Sequence, residues 1–160
     1  MGSVPHPAIG IDTGTRINAI TEQVIACAFK VSNTLGRGYL EKVYENALAH
    51  ECRKTGLRVD QQLRLLVKYD DVVVGDYVAD IVIESLVVLE IKAARSFDSA
   101  HEAQCINYLA ATGLPICLLL NFGTRVEVRR FAGPAALAFP SLQTAKGPIP
   151  MTWAEAAEHS

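Results

Sequence analysis

Residues 77–94 read YVADIVIESLVVLEIKAA. Nearly all are apolar and many are β-branched, the composition of strands. Glu84–Ser85 is the one turn-like interruption, yet Asp80, Glu90 and Lys92 lie inside the apolar runs. Side chains alternate along a strand, so Val78, Asp80 and Val82 share one face, and Val88, Glu90 and Lys92 share one face of the next. Register decides whether the charges meet. A two-residue turn at Glu84–Ser85 pairs Ile83 with Leu86, sets Asp80 opposite Leu89 and points Glu90 away. A three-residue connection, Glu84 to Leu86, pairs Ile83 with Val87 and Asp80 with Glu90, and a bulge does the same.

Two carboxylates and an ammonium at one sheet surface suit a divalent cation. Hard oxygen ligands bind Mg²⁺, and the Ile91 backbone carbonyl, between the two polar side chains, is a further candidate ligand. A cation neutralises carboxylates that otherwise repel and raise each other's pKa. Lys92 beside it can orient a water and favour its hydroxide form, and the metal can stabilise charge on a phosphate oxygen. The competing view is a solvated sheet face with Lys92 as a surface salt-bridge partner. Val78, Val82 and Val88 on the same faces argue for partial desolvation, and buried charges must be paired, metal-bound or neutralised.

Outward from this hairpin the pattern is mixed α/β. Ile17, Ile20, Val24, Ala28, Val31 and Leu35 recur at three- and four-residue steps, which predicts a helix from about residue 16 to 35. Gly36-Arg37-Gly38 breaks it, and a second helix runs over about 39–55, with Gly56 as its stop. Alternation at Leu63, Leu65, Val67 and Tyr69 predicts a strand, Asp70-Asp71 a turn, and Val72–Val74 and Tyr77–Ile83 a strand with a bend at Gly75. Leu86–Ala93 is the next strand and 98–112 a third helix, stopped at Gly113. Ile116–Leu120 reads as a central strand, Arg125–Phe131 as an edge strand. The Gly- and Pro-rich residues 1–14 are expected to be flexible. Residues 132–160 form an extension, extended or disordered over 132–150, with a short terminal helix at Thr152.

The chain has 160 residues, half of them hydrophobic, and a net charge of −2. One domain is the natural reading, with residues 15–131 as its folded part. The charge gives no bulk support for non-specific nucleic-acid binding; Arg125, Arg129 and Arg130 make the best local basic patch. Cys27, Cys52, Cys105 and Cys117 form no C-x-x-C pair and sit among apolar residues, as reduced core thiols of a cytoplasmic protein do. No segment reaches membrane-helix length, no secretory signal is visible at the start, and the absence of G-x-x-x-x-G-K-[ST] excludes P-loop chemistry.

Residues 38–44, Gly-Tyr-Leu-Glu-Lys-Val-Tyr, spell G-x-x-E-x-x-Y. With ADIVIE, VVLEIKA, HEAQCINYL and LLNFG following in order, the chain resembles the GxxExxY family of the PD-(D/E)XK nuclease-like superfamily, from about Ile17 to Phe131. The resemblance implies a restriction-endonuclease-like core, a mixed sheet flanked by helices, here in the order α-α-β-β-β-α-β-β. It implies Mg²⁺- or Mn²⁺-dependent hydrolysis of phosphodiester bonds in DNA or RNA, with Asp80 and Glu90 as metal ligands and Lys92 as the catalytic lysine. Glu41 would be the additional acidic residue, reaching the metal directly or through water. Gln104 and Tyr108 match a Q-x-x-x-Y pair of some branches, one turn apart on a helix, able to hold a phosphate or brace Lys92. Many enzymes of the superfamily are dimers, so a homodimer is a further expectation. The chain departs from the family in having Val31-Ser32 for Val-His and Gly36-Arg37-Gly38 for G-P-G.

Other readings stay beside these. The fold can persist as a catalytically silent module that binds nucleic acid or protein, or the metal site can act on a small phosphate ester. Glu41 on a helix is by default solvated, Tyr44 is core or site, and His101 is more simply a surface residue at a helix start. Asn121-Phe122-Gly123 is expected to form a turn after the central strand.

Overall fold

The computed structural model describes residues 12–139. Two helices come first, α1 (Thr13–Leu35) and α2 (Glu41–Lys54). The strands β1 (Val59–Tyr69), β2 (Val72–Ile83) and β3 (Val87–Lys92) follow, then α3 (Ser99–Thr112), β4 (Ile116–Asn121), β5 (Glu127–Ala132) and a 3₁₀ turn at Pro134–Ala138. This is the order that the hydrophobic periodicity predicts. Asp12 caps α1 by accepting from the Thr15 N–H at 2.8 Å, so Thr13 and Gly14 belong to the helix rather than to a flexible leader. The Pro134–Ala138 turn likewise falls where an extended chain was expected. The expected helix at Thr152 lies outside the described residues.

The five strands form one sheet in the order β1-β2-β3-β4-β5. β3 and β4 are parallel, joined through α3, and the other neighbours are antiparallel. β4 is buried at every position, as its continuous apolar run requires, and β5 is an edge. One sheet face packs Ile81, Ile83, Leu89 and Ile91 against Ile17, Val24, Tyr44 and Leu48 of α1 and α2. The other packs Val82, Val88, Cys117 and Leu119 against Cys105, Ile106 and Leu109 of α3. All four cysteines are free and buried.

The β1–β2 hairpin turns at Asp70–Asp71, both at positive φ (49° and 61°). Short polar side chains are among those that tolerate this region. The ladder slips near Gly75, where Val67 pairs with Gly75 but Lys68 with Val73, leaving Val74 as the extra residue of a bulge. β1 and β2 are longer than β3, and the end of their hairpin exposes Leu66, Tyr69, Val72, Val73 and Val74.

Candidate metal centre

The β2–β3 connection has three residues. Ile83 pairs with Val87, Val82 with Val88 and Ile81 with Leu89. Leu86 N–H donates to the Ile83 carbonyl at 2.9 Å, with Glu84 and Ser85 both at positive φ. Continuing this register sets Asp80 opposite Glu90, the arrangement that brings the carboxylates together. The ladder ends after Ile81 and Leu89. Beyond it the Asp80 side chain takes the next β3 donor, the Ile91 N–H, at 2.8 Å.

Glu90 is 4% exposed. Burial, and then repulsion from Asp80, push its carboxyl up to about 8 despite nearby Lys92. Its Oε1 is buried with no hydrogen-bond partner among the described residues. Asp80 is also raised, first by burial, with the Ile91 N–H acting the other way. The Gln104 Nε2 donates to the Tyr108 hydroxyl at 3.0 Å. Burial and then Glu90 push that phenol up to about 12, so Tyr108 stays protonated beside the carboxylate. Tyr108 also meets the Tyr77 ring edge-on at 4.6 Å.

A cavity of about 530 Å³ opens beside Asp80, lined also by Tyr39, Glu41, Glu45, Gln62 and Ile91. Glu41 is exposed on it. Among the described residues no three Asp, Glu, His or Cys side chains stand close enough to hold a metal as they are. A divalent cation nevertheless fits this donor set. The orphaned Glu90 oxygen, the Asp80 carboxylate and a backbone carbonyl at Ile91 are hard oxygen donors, and such a cation keeps water on its remaining positions.

Backbone clamps hold the parts in place. The Tyr44 hydroxyl donates to the Gly36 carbonyl at 2.7 Å and accepts from the Tyr39 N–H at 3.3 Å. Its ring stacks on Phe122 at 4.8 Å, so Tyr44 is core and fixes the loop over 36–40. Just beyond Lys92, Asn121 accepts from the Ala94 N–H and donates to the Ala94 carbonyl, both at 2.9 Å. The Phe122 N–H donates to the Lys92 carbonyl at 2.8 Å. A Cβ on Gly123 would lie 1.7 Å from the Ala94 oxygen, so that position requires glycine.

One expectation changes. The arginines 125, 129 and 130 form no common patch. Arg129 pairs with Glu102 and lies 4.7 Å over the Phe97 ring. Arg130 is half-buried on Asn18 at 2.6 Å. Alternation along β5 and long-range partners divide them. Arg125 instead joins Arg37, Ser32, Asn33 and Thr124 around a second cavity of about 380 Å³. His101 caps α3, its Nδ1 accepting from the Asp98 N–H at 3.3 Å. Glu45, absent from the sequence reading, is 3% exposed and held by Gln61 and Gln62 at 2.7 Å. Its burial comes from partners sixteen and seventeen residues away, and no local pattern carries that.

The profile of the PD-(D/E)XK nuclease superfamily matches residues 18–131. The chain belongs to this superfamily. Its mixed sheet flanked by helices is the restriction-endonuclease-like fold. The solved structure titled SSO0001 is similar at 16% identity and TM-score 0.46, over 84% of this chain and 72% of that one. An alkaline exonuclease (LHK-Exo) from Laribacter hongkongensis is similar at 14% identity and TM-score 0.42, over 82% and 76%. No curated protein matches the sequence significantly.

Proposed function

We propose that this PD-(D/E)XK protein, of the GxxExxY branch, is a nuclease that hydrolyses phosphodiester bonds of DNA or RNA with Mg²⁺ or Mn²⁺. The observation that carries the proposal is the register joining Asp80 to Glu90, which leaves a buried, unpartnered carboxylate oxygen one residue from Ile91 and two from Lys92. Asp80, Glu90 and the Ile91 carbonyl would hold the cation, with Glu41 on the cavity wall as a further acid. The bound cation supplies charge neutralisation at the phosphate and a more acidic water. Lys92 orients the attacking water, whose oxygen bonds to phosphorus as the P–O bond to the leaving nucleotide breaks. Tyr108, held by Gln104, braces the Glu90 side of the site.

Four free buried thiols support a reducing compartment such as the cytoplasm. The exposed apolar end of the β1–β2 hairpin supports a homodimer, which sedimentation equilibrium tests directly.

The deciding experiment is cleavage of labelled single- and double-stranded DNA and RNA with Mg²⁺, Mn²⁺ or EDTA, beside a folded Lys92→Ala variant. Metal-dependent cleavage lost in the variant establishes the nuclease and its substrate. Equal cleavage in both exposes a contaminant. Silence in both moves the assignment to a binding module or a small phosphate-ester hydrolase.

A further inference from the structure

Building on the metal-site reading, we propose that Glu45, one turn beyond Glu41, is the helix carboxylate that joins Asp80 at the cation. The Gln62 amide holds the cation's place until it binds. Both glutamates line the cavity, but Glu41 is exposed whereas Glu45 is buried. A buried carboxylate needs donors or positive charge. Glu45 Oε2 takes the Gln61 amide at 2.7 Å and Lys42 Nζ at 3.0 Å, and Oε1 takes the Gln62 amide at 2.7 Å. Gln62 and Asp80 line the same cavity, at facing positions of the β1–β2 register. The amide bound to Glu45 thus stands on the cavity that Asp80 also lines, the placement a small cation would take.

Gln62 is held there under strain. Its φ is +53°, and it drops out of the β1–β2 ladder between Gln61↔Ile81 and Leu63↔Ala79, at the position facing Asp80. A non-glycine residue in the left-handed region is strained, and such strain gathers where a group must be presented rather than packed. The Gln62 side chain is exposed, so it can leave for solvent without opening the core. Nearby, Glu90 Oε1 is buried without a hydrogen-bond partner among the described residues, an independent sign of an acceptor left unfilled. A divalent cation answers both needs better than a neutral amide.

The test is Mn²⁺ binding to the full chain, by calorimetry and by loss of the free Mn²⁺ resonance. The variants are Asp80→Asn, Glu45→Gln, Glu41→Gln and Gln62→Ala, each checked by thermal melting in EDTA. Asp80→Asn should abolish binding. Glu45→Gln should weaken it about tenfold or more, Glu41→Gln should weaken it less, and Gln62→Ala should tighten it several-fold. Weakening by Glu41→Gln equal to or beyond that by Glu45→Gln overturns the assignment of Glu45. Weaker binding in Gln62→Ala overturns the place-holding role. Unaltered binding in Asp80→Asn, or none in the native chain, overturns the metal-site reading itself. Should Glu45→Gln not fold, the Gln62 side-chain amide resonances decide. They should move to free-glutamine positions on Mg²⁺ addition, and no movement refutes the proposal.

Discussion

Asp80 Oδ2 accepts the Ile91 backbone N–H at 2.8 Å. A carboxylate on β2 is thereby tied to the segment of β3 that carries Glu90 just before Ile91 and Lys92 just after it. The hydrogen bond stands where the two strands stop pairing, so the end of the ladder also places the site.

The metal-free protein should lose stability as pH rises. Glu90 titrates near 8 in the folded chain against an ordinary 4.5. Its stabilising contribution is fully present below the ordinary value and is lost as pH climbs through the folded one, because the unfolded chain releases its proton first. Asp80, also raised, has the same sign. Thermal melts in EDTA should give a lower Tm at about pH 8.5 than at about pH 6, and added Mg²⁺ should narrow the gap. Glu90→Gln should flatten the EDTA profile; a slope unchanged in that variant counts against the assignment.

The Asn121 clamp should be costly to break. Asn121→Ala leaves the Ala94 N–H and carbonyl and the Gly123 N–H without their side-chain partner. The expected loss is about 2–4 kcal/mol by urea unfolding. Gly123→Ala must displace the backbone at Ala94 and should cost at least as much. A loss below about 1 kcal/mol for both would mean that the clamp is slack.

Nucleic acid should be gripped beside the loop at 36–40 rather than along β5. Arg37 and Arg125 share a cavity and, among the described residues, have no ion pair. Reversing both to Glu should weaken oligonucleotide binding and lower the slope of log K against log salt by about 2. Arg129→Ala, which removes a partner of Glu102, should leave that slope alone. An unchanged slope in the double reversal removes the two arginines from the interface.

The thiols should be silent in the native state. Burial raises Cys27, Cys52 and Cys117, so little reactive thiolate forms at neutral pH. A chromogenic disulfide reagent should find no rapidly reacting group until denaturant is added, and then all four. A fast native thiol would contradict the burial.

The helices and strands were legible because each carries a clean period, 3.6 for Ile17 to Leu35 and two for Leu63 to Tyr69. Asp80, Glu90 and Lys92 stood out because charge interrupts apolar runs. Their meeting was not legible, since Glu84-Ser85-Leu86 fits two connection lengths whose registers put Glu90 on opposite faces. Glu45 escaped notice because it follows Glu41 and Lys42 on a helix surface, and only Gln61 and Gln62 bring it indoors. Arg130 misled for the converse reason: a surface-like charge in sequence is half-buried against α1.

The three-residue connection between β2 and β3 carries a consequence for how such a chain can vary through time. Its identities are permissive, because Glu84 and Ser85 already occupy a backbone region that glycine or asparagine would take more readily. Its length is not. Deleting one residue would leave two apolar strands still able to pair, yet would turn Glu90 to the opposite face from Asp80. A lineage can therefore rewrite the spelling of this turn freely, while a single codon lost from it would preserve a folded protein and part its two buried carboxylates.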